Sequence, residues 1–155
     1  MFRGREEGQA LVETALTMSL LVVMMLGSVE FGRLAFAALE VNNAAKAAAQ
    51  YGAQSHATAL DRPGMLSAAQ NEFVTPSAVS LLSPTSTSGY SCTCADSGNS
   101  ASCTNNSITS PECPGSYVEV TLTVQTQTSF DPLVHIPGFA GPYTLNGLAI
   151  QKVLE

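Results

Sequence analysis

Positive charge is scarce over most of this chain: after Lys46 the only basic residues are Arg62 and Lys152. The formal charge is −6 and the isoelectric point near 4.7, so no basic patch exists to neutralise phosphates. That excludes a nucleic-acid partner. Catalytic signatures are missing as well. There is no G-x-S-x-G elbow, no H-E-x-x-H, no P-loop and no carboxylate pair at helical spacing in the C-terminal part. His56 and His135 are the candidate bases, but one lies near the end of an alanine-rich stretch and the other in a Pro-flanked loop. Asp61 and Asp131 stand alone in turns. No catalytic residue, cofactor or metal is expected. Disorder is excluded too, because apolar runs recur to the end of the chain. Ser, Thr, Asn and Ala fill the sparsely charged remainder, an extracytoplasmic sort of surface.

What is present is one long uncharged run. From Thr14 to Val29 no residue carries a charge, and Leu, Val, Met and Ala dominate. Counted from Gln9, about 20 residues at a 1.5 Å rise give roughly the 30 Å of a bilayer's hydrocarbon core. A short polar leader, MFRGREE, precedes Gly8. Glu13 breaks the apolar pattern. An acidic side chain at the centre of a membrane helix costs about 2.5–3.5 kcal/mol, less near an edge. A partner's positive charge would compensate it, which points to an assembly subunit; the rival is a carboxylate that caps its own helix's N-terminal amides.

Four cysteines, Cys92, Cys94, Cys103 and Cys113, share one Ser/Thr/Asn/Gly-rich stretch. An even count in a polar loop beyond a membrane segment reads as two disulfides in an oxidising compartment. Their spacing lacks the close ligand pairs of zinc modules. A Cys92–Cys94 bond is disfavoured by the geometry of alternate residues. Two pairings remain open: 92–113 with 94–103, or 92–103 with 94–113. Either places the C-terminal portion outside the cytoplasm, and Arg3 and Arg5 in the leader agree with an N-terminus inside. A cleaved secretory signal is the other reading of this N-terminus, but its small-residue triplet, Ala35-Phe36-Ala37, falls well past the apolar core.

No proline interrupts Glu30 to Leu60, and alanine, the best helix former, dominates. Phe31, Leu34, Ala38, Val41, Ala45, Ala48 and Gly52, alternately three and four apart, form a packing seam. One helix of roughly 50 residues is predicted, half in lipid and half outside; a break near Gly27 or Gly32 would split it in two. Asp61 then caps a second, shorter helix with Pro63 in its first turn, running to about Phe73 with Leu66 and Ala69 on one face. Val79–Leu82 reads as a short strand. The stretch 83–114 reads as a long irregular insert held by its disulfides. Tyr117–Val124 is the clearest strand, its Val and Leu residues alternating with polar ones. After a connection through Phe130-Asp131-Pro132-Leu133 and Pro137-Gly138, Tyr143–Leu154 returns as the last strand. The expected fold class is α+β: a long N-terminal transmembrane helix continuing into a soluble domain with a second short helix and a small antiparallel β-sheet. Its expected divisions are 1–8, leader; 9–29, transmembrane; 30–60, outer continuation of the helix; 61–155, the small domain.

The run ALVETALTMSLLVVMMLGSVEFGRLAFAALEVNNAAKAAAQYGA, with the box Glu30-Phe31-Gly32-Arg33, resembles the N-terminal segment of TadE-like proteins, the pseudopilins of tight-adherence pili. The strand YVEVTLTV, the connection FDPLVHIPG and the closing LNGLAIQKVLE resemble that family more loosely. The resemblance implies a bacterial inner-membrane protein, single-pass, with its N-terminus cytoplasmic and its domain periplasmic. It further implies cleavage by a prepilin peptidase between Gly8 and Gln9, leaving Glu13 as the fifth residue for subunit assembly. Thr14 stands where the family usually carries an aromatic. The implied role is a minor pilin-like structural subunit, and the implied partners are other pilin or pseudopilin subunits, the peptidase, an inner-membrane assembly platform and the lipid bilayer. The alternative is a single-span anchored binding domain that never polymerises.

Overall fold

The computed structural model describes residues 4–75, 78–83, 89–103, 113–133 and 141–153. The side chains of residues 4–7 and His56 lie outside that description, as do His135 and the Pro137-Gly138 connection. The described elements are helices α1 (Gly4–Gly52), α2 (His56–Leu60) and α3 (Arg62–Asn71), then strands β1 (Val79–Ser83), β2 (Tyr90–Cys94), β3 (Val118–Phe130) and β4 (Tyr143–Lys152). This is the expected α+β arrangement, a long apolar helix followed by a small antiparallel sheet.

α1 runs unbroken through Gly27 and Gly32 for 49 residues. Its end differs from the predicted continuation to residue 60: the helix stops at Gly52, and a turn leads into α2. Two features lie at the stop. A Cβ at Gly52 would come within 2.5 Å of Leu122 Cδ2 and 2.8 Å of Met65 Sδ, so the position is closed by packing. Ser55 then starts α2 with a reciprocal cap, its hydroxyl accepting from Thr58 N while Thr58 Oγ1 accepts from Ser55 N. There are therefore two short helices where one was expected. Asp61 caps α3 as predicted, its carboxylate accepting from Gly64 N at 3.1 Å, with proline in the first turn.

The sheet is built on β3. β1 pairs with residues 125–128 and β2 with residues 118–122. β4 pairs with residues 121–130, overlapping both, so β1 and β2 lie end to end along one edge of β3 and β4 covers the other. All pairs are antiparallel. β2 lies within the stretch read as an irregular insert. β3 also runs six residues past Val124, because Thr126 and Thr128 keep the inward alternation with their hydroxyls bonded: Thr126 Oγ1 donates to the Val41 carbonyl at 2.7 Å and Thr128 Oγ1 to Ala78 at 2.9 Å. β4 shows the predicted faces, with Leu145, Ala149 and Val153 against the core and Leu148 and Ile150 exposed.

The core lies between the outer half of α1, α3 and the sheet. Val41, Ala44, Ala48 and Ala49 of α1 meet Met65 and Ala69 of α3 and Leu122 and Val124 of β3. Alanine on this seam lets two layers approach the helix closely. The predicted seam is buried at Val41, Ala45, Ala48 and Gly52 and half-buried at Leu34 and Ala38, but Phe31 is exposed. β3 runs antiparallel to α1: Leu122 lies by Gly52, Thr126 by Val41 and Phe130 by Arg33. Leu122, beside Gly52, therefore lies about 33 Å along the helix from Glu30 by the 1.5 Å rise, and the start of β3 lies at that far end.

Candidate assembly surface

Every residue from Gly8 to Val29 is exposed, so the apolar run has no cover within its own chain among the described residues. The segment 9–29 is about 31 Å long at the helical rise, matching a hydrocarbon core. Among the described residues one helix, α1, is long and apolar enough to cross a membrane. Its hydroxyls are satisfied by the helix itself: Thr14 donates to Ala10 O, Thr17 to Glu13 O, Ser19 to Leu16 O and Ser28 to Met24 O. Glu13 has no such recourse. An ionised carboxylate only accepts, and the helix interior offers it carbonyls. With α1 beginning at Gly4, the amides near Glu13 are already committed to the preceding turn. Capping its own helix is thus closed to Glu13 in the uncut chain.

At the other border of the run, the box divides into two pairs. Glu30 and Arg33 turn towards the domain. Arg33 Nη1 donates to both Glu30 carboxylate oxygens, at 3.1 and 3.2 Å, and its guanidinium lies 5.4 Å from the centroid of the Phe130 ring. Glu30 Oε1 also accepts from the Leu133 amide at 2.9 Å. Farther out, Glu40 Oε1 accepts from Val74 N at 3.2 Å. The other pair faces away from these contacts. Phe31 is 73 % exposed, and a Cβ on Gly32 would meet nothing within 4 Å.

A second seam runs along α1, which the sequence reading missed. Leu11, Ala15, Met18, Val22, Met25, Val29, Gly32, Phe36 and Leu39 recur four and three apart, and all are exposed. The repeat is that of a helix-packing seam. It extends past the membrane-length segment on the side opposite the domain, where Phe36 is 57 % and Leu39 63 % exposed. The signal was available in the spacing but was masked inside the hydrocarbon-length run, where apolar residues occupy most positions on every face.

The cysteines resolve to Cys92–Cys103 and Cys94–Cys113. β2 pairing explains the choice. Ala101 N donates to Cys92 O at 2.8 Å, which brings the 103 side of the loop to Cys92. Ala95 N donates to Tyr117 O at 3.0 Å, which brings the 113 side to Cys94. Both bonds lie at the end of the domain far from Glu30. Among the described residues no group of three or more His, Cys, Asp or Glu is gathered for a metal. Asp61 is engaged in its cap: the Tyr51 hydroxyl donates to it at 2.7 Å, and that bond, then the Gly64 amide, hold its carboxyl below the usual range.

Residues 8–50 match the family model described as TadE, TadE-like protein. No curated protein and no solved structure matches the chain.

Proposed function

We propose, from a chain that is TadE-like over residues 8–50, that this protein is a minor pilin-like subunit of a tight-adherence pilus. The family match supports association with such a pilus and a structural, non-enzymatic role. The observation that carries the finer reading is the exposed seam from Leu11 to Leu39, opening away from the domain; Glu13, two residues from both Leu11 and Ala15, lies across the helix from that seam and would meet a different neighbour of the same assembly. A plain anchor needs lipid-facing residues only across the hydrocarbon. Here the apolar stripe continues to Phe36 and Leu39, where a second pilin-type helix would cover it.

In this reading residues 1–8 are a leader, 9–29 span the inner membrane with the N-terminus cytoplasmic, and the stapled domain is periplasmic. The two disulfides support that side, since they persist in oxidising compartments. Cleavage between Gly8 and Gln9 by a prepilin peptidase creates an α-amino group with a reference pKa of about 7.7–8.0. Glu13 of a neighbouring subunit accepts from it where water is scarce, offsetting two desolvation penalties. The four-residue separation then staggers adjacent helices by about 6 Å along their axes. An inner-membrane assembly platform would gather these helices, and other pilin or pseudopilin subunits would supply the neighbours.

Intact mass of protein extracted from its native membrane tests this. The expected species lacks residues 1–8 and four thiol protons. A chain that keeps its leader would reduce the reading to a tethered domain that does not polymerise.

A further inference from the structure

Among the described residues, the end of the domain nearest the membrane carries exposed apolar and aromatic side chains. It is built from the last residues of β3 and the first of β4, where Phe130 pairs with Tyr143. Leu133, just beyond β3, is 68 % exposed, although it is among the larger apolar side chains of the domain. Its backbone is held in place: the Leu133 amide donates at 2.9 Å to the carboxylate of Glu30, the residue directly after the membrane-length segment 9–29. Glu30 is in turn paired with Arg33, and the Arg33 guanidinium rests on Phe130. The exposed ring of Phe31 lies on the same turn of α1, and Tyr143 is 41 % exposed.

These contacts set a height. Headgroup regions add about 5–7 Å on each side of the hydrocarbon core. Glu30 lies one helical rise, about 1.5 Å, past Val29. A residue hydrogen-bonded to its carboxylate falls inside that layer. Of the charges at this end, Glu30 and Arg33 neutralise one another, and Asp131, exposed two residues before Leu133, adds one acidic group at headgroup level. Tyr143, an aromatic ring with a polar edge, is of the kind that settles at such a boundary, while Phe31 and Leu133 contribute apolar area.

We infer that the membrane-proximal end of the domain seats on the bilayer surface, with Leu133 in the interface, Tyr143 at the same end of the sheet, and Phe31 at the same height on another face of α1. The partner is lipid, and the Glu30–Leu133 bond is the tether that sets the depth. The inference rests on residues 9–29 spanning the membrane. It adds that the domain does not swing free above the bilayer but lies on it until the subunit is drawn into a fibre. The far, disulfide-stapled end stays in water.

The chain contains no tryptophan, so a single introduced one reports alone. Leu133→Trp, Tyr117→Trp at the far end and Leu21→Trp within the span would each be placed in the full chain. Each is then reconstituted in phosphatidylcholine nanodiscs with and without brominated lipid, the bromine placed near the headgroup end of the acyl chains for Leu133→Trp and Tyr117→Trp and towards their methyl end for Leu21→Trp. Leu133→Trp is expected to emit at shorter wavelength than Tyr117→Trp and to lose a substantial fraction of its emission to bromine, while Tyr117→Trp loses none. Emission of Leu133→Trp matching that of Tyr117→Trp, unquenched while Leu21→Trp is quenched, would overturn the seating and leave the span intact. If Leu21→Trp is also unquenched, the span reading fails and this inference with it.

Discussion

Gly147→Ala is the sharpest probe of how the sheet is mounted on the helix. A Cβ at this position of β4 would overlap the Val41 carbonyl of α1 and lie 2.7 Å from Thr126 Oγ1. Neither neighbour is the loose end of a side chain. One is helix backbone, and the other is a fully buried hydroxyl committed to that same carbonyl. Relief requires the sheet to move off the helix, at an overpacking cost of about 1–3 kcal/mol. The Thr126–Val41 bond, worth about 1 kcal/mol net, is lost in the process. Reduced freedom of the unfolded chain returns about 0.4–1 kcal/mol. A net loss of about 2 kcal/mol, with a urea dependence of about 2 kcal/mol per molar, lowers the midpoint by about 1 M. Pulse proteolysis of the full chain in micelles across a urea series reads that midpoint. Gly32→Ala, with open space around it, should leave it unchanged or raise it. If Gly147→Ala unfolds at the wild-type midpoint, the domain is not packed on α1 as described.

Replacing Cys92 and Cys103 together by serine frees a link that spans 11 residues; chain entropy puts its contribution at about 3 kcal/mol. The same urea series should show a midpoint lower by about 1–2 M, and an unchanged midpoint would show that β2 and its loop hold without the staple. Acid should act through Asp61. Because its folded pKa is lowered, chiefly by the Tyr51 hydroxyl, the unfolded chain binds more protons in that window. The contribution is full above the unfolded value of about 3.9 and fades as pH falls through the lower folded value. Tyr51→Phe should flatten this acid limb in a pH series of unfolding midpoints, and an identical limb would contradict the assignment.

Some of this architecture was legible in the residues, and the reasons are specific. The alanine seam from Val41 to Gly52 showed because small residues at helical spacing have few other uses. Val118 to Val124 showed because alternation with Glu and Thr is unambiguous. The same strand's continuation did not show, since Thr126 and Thr128 fill inward positions with polar side chains that become acceptable only through carbonyls of Val41 and Ala78. β2 stayed hidden because its inward residues, Cys92 and Cys94, read first as staples. Their pairing depended on the β2–β3 register, which no spacing encodes. The box was legible as a motif and opaque in its action, because the partners of Glu30 and Arg33 lie about a hundred residues on, at Leu133 and Phe130. The outward seam hid for the opposite reason: a run uncharged from Thr14 to Val29 and apolar on every side gives little contrast from which to read a face.

The central claim is that Glu13 is tolerated in lipid because a neighbouring subunit's amino terminus meets it. The direct measurement compares Glu13→Gln with the unaltered protein in its native cells, scoring subunit recovered in sheared pilus fractions and pilin-like partners co-purified from membranes. Loss of both signals, with membrane insertion and disulfides intact, is the predicted result. Undiminished recovery of the substituted subunit, still bound to those partners, would contradict it.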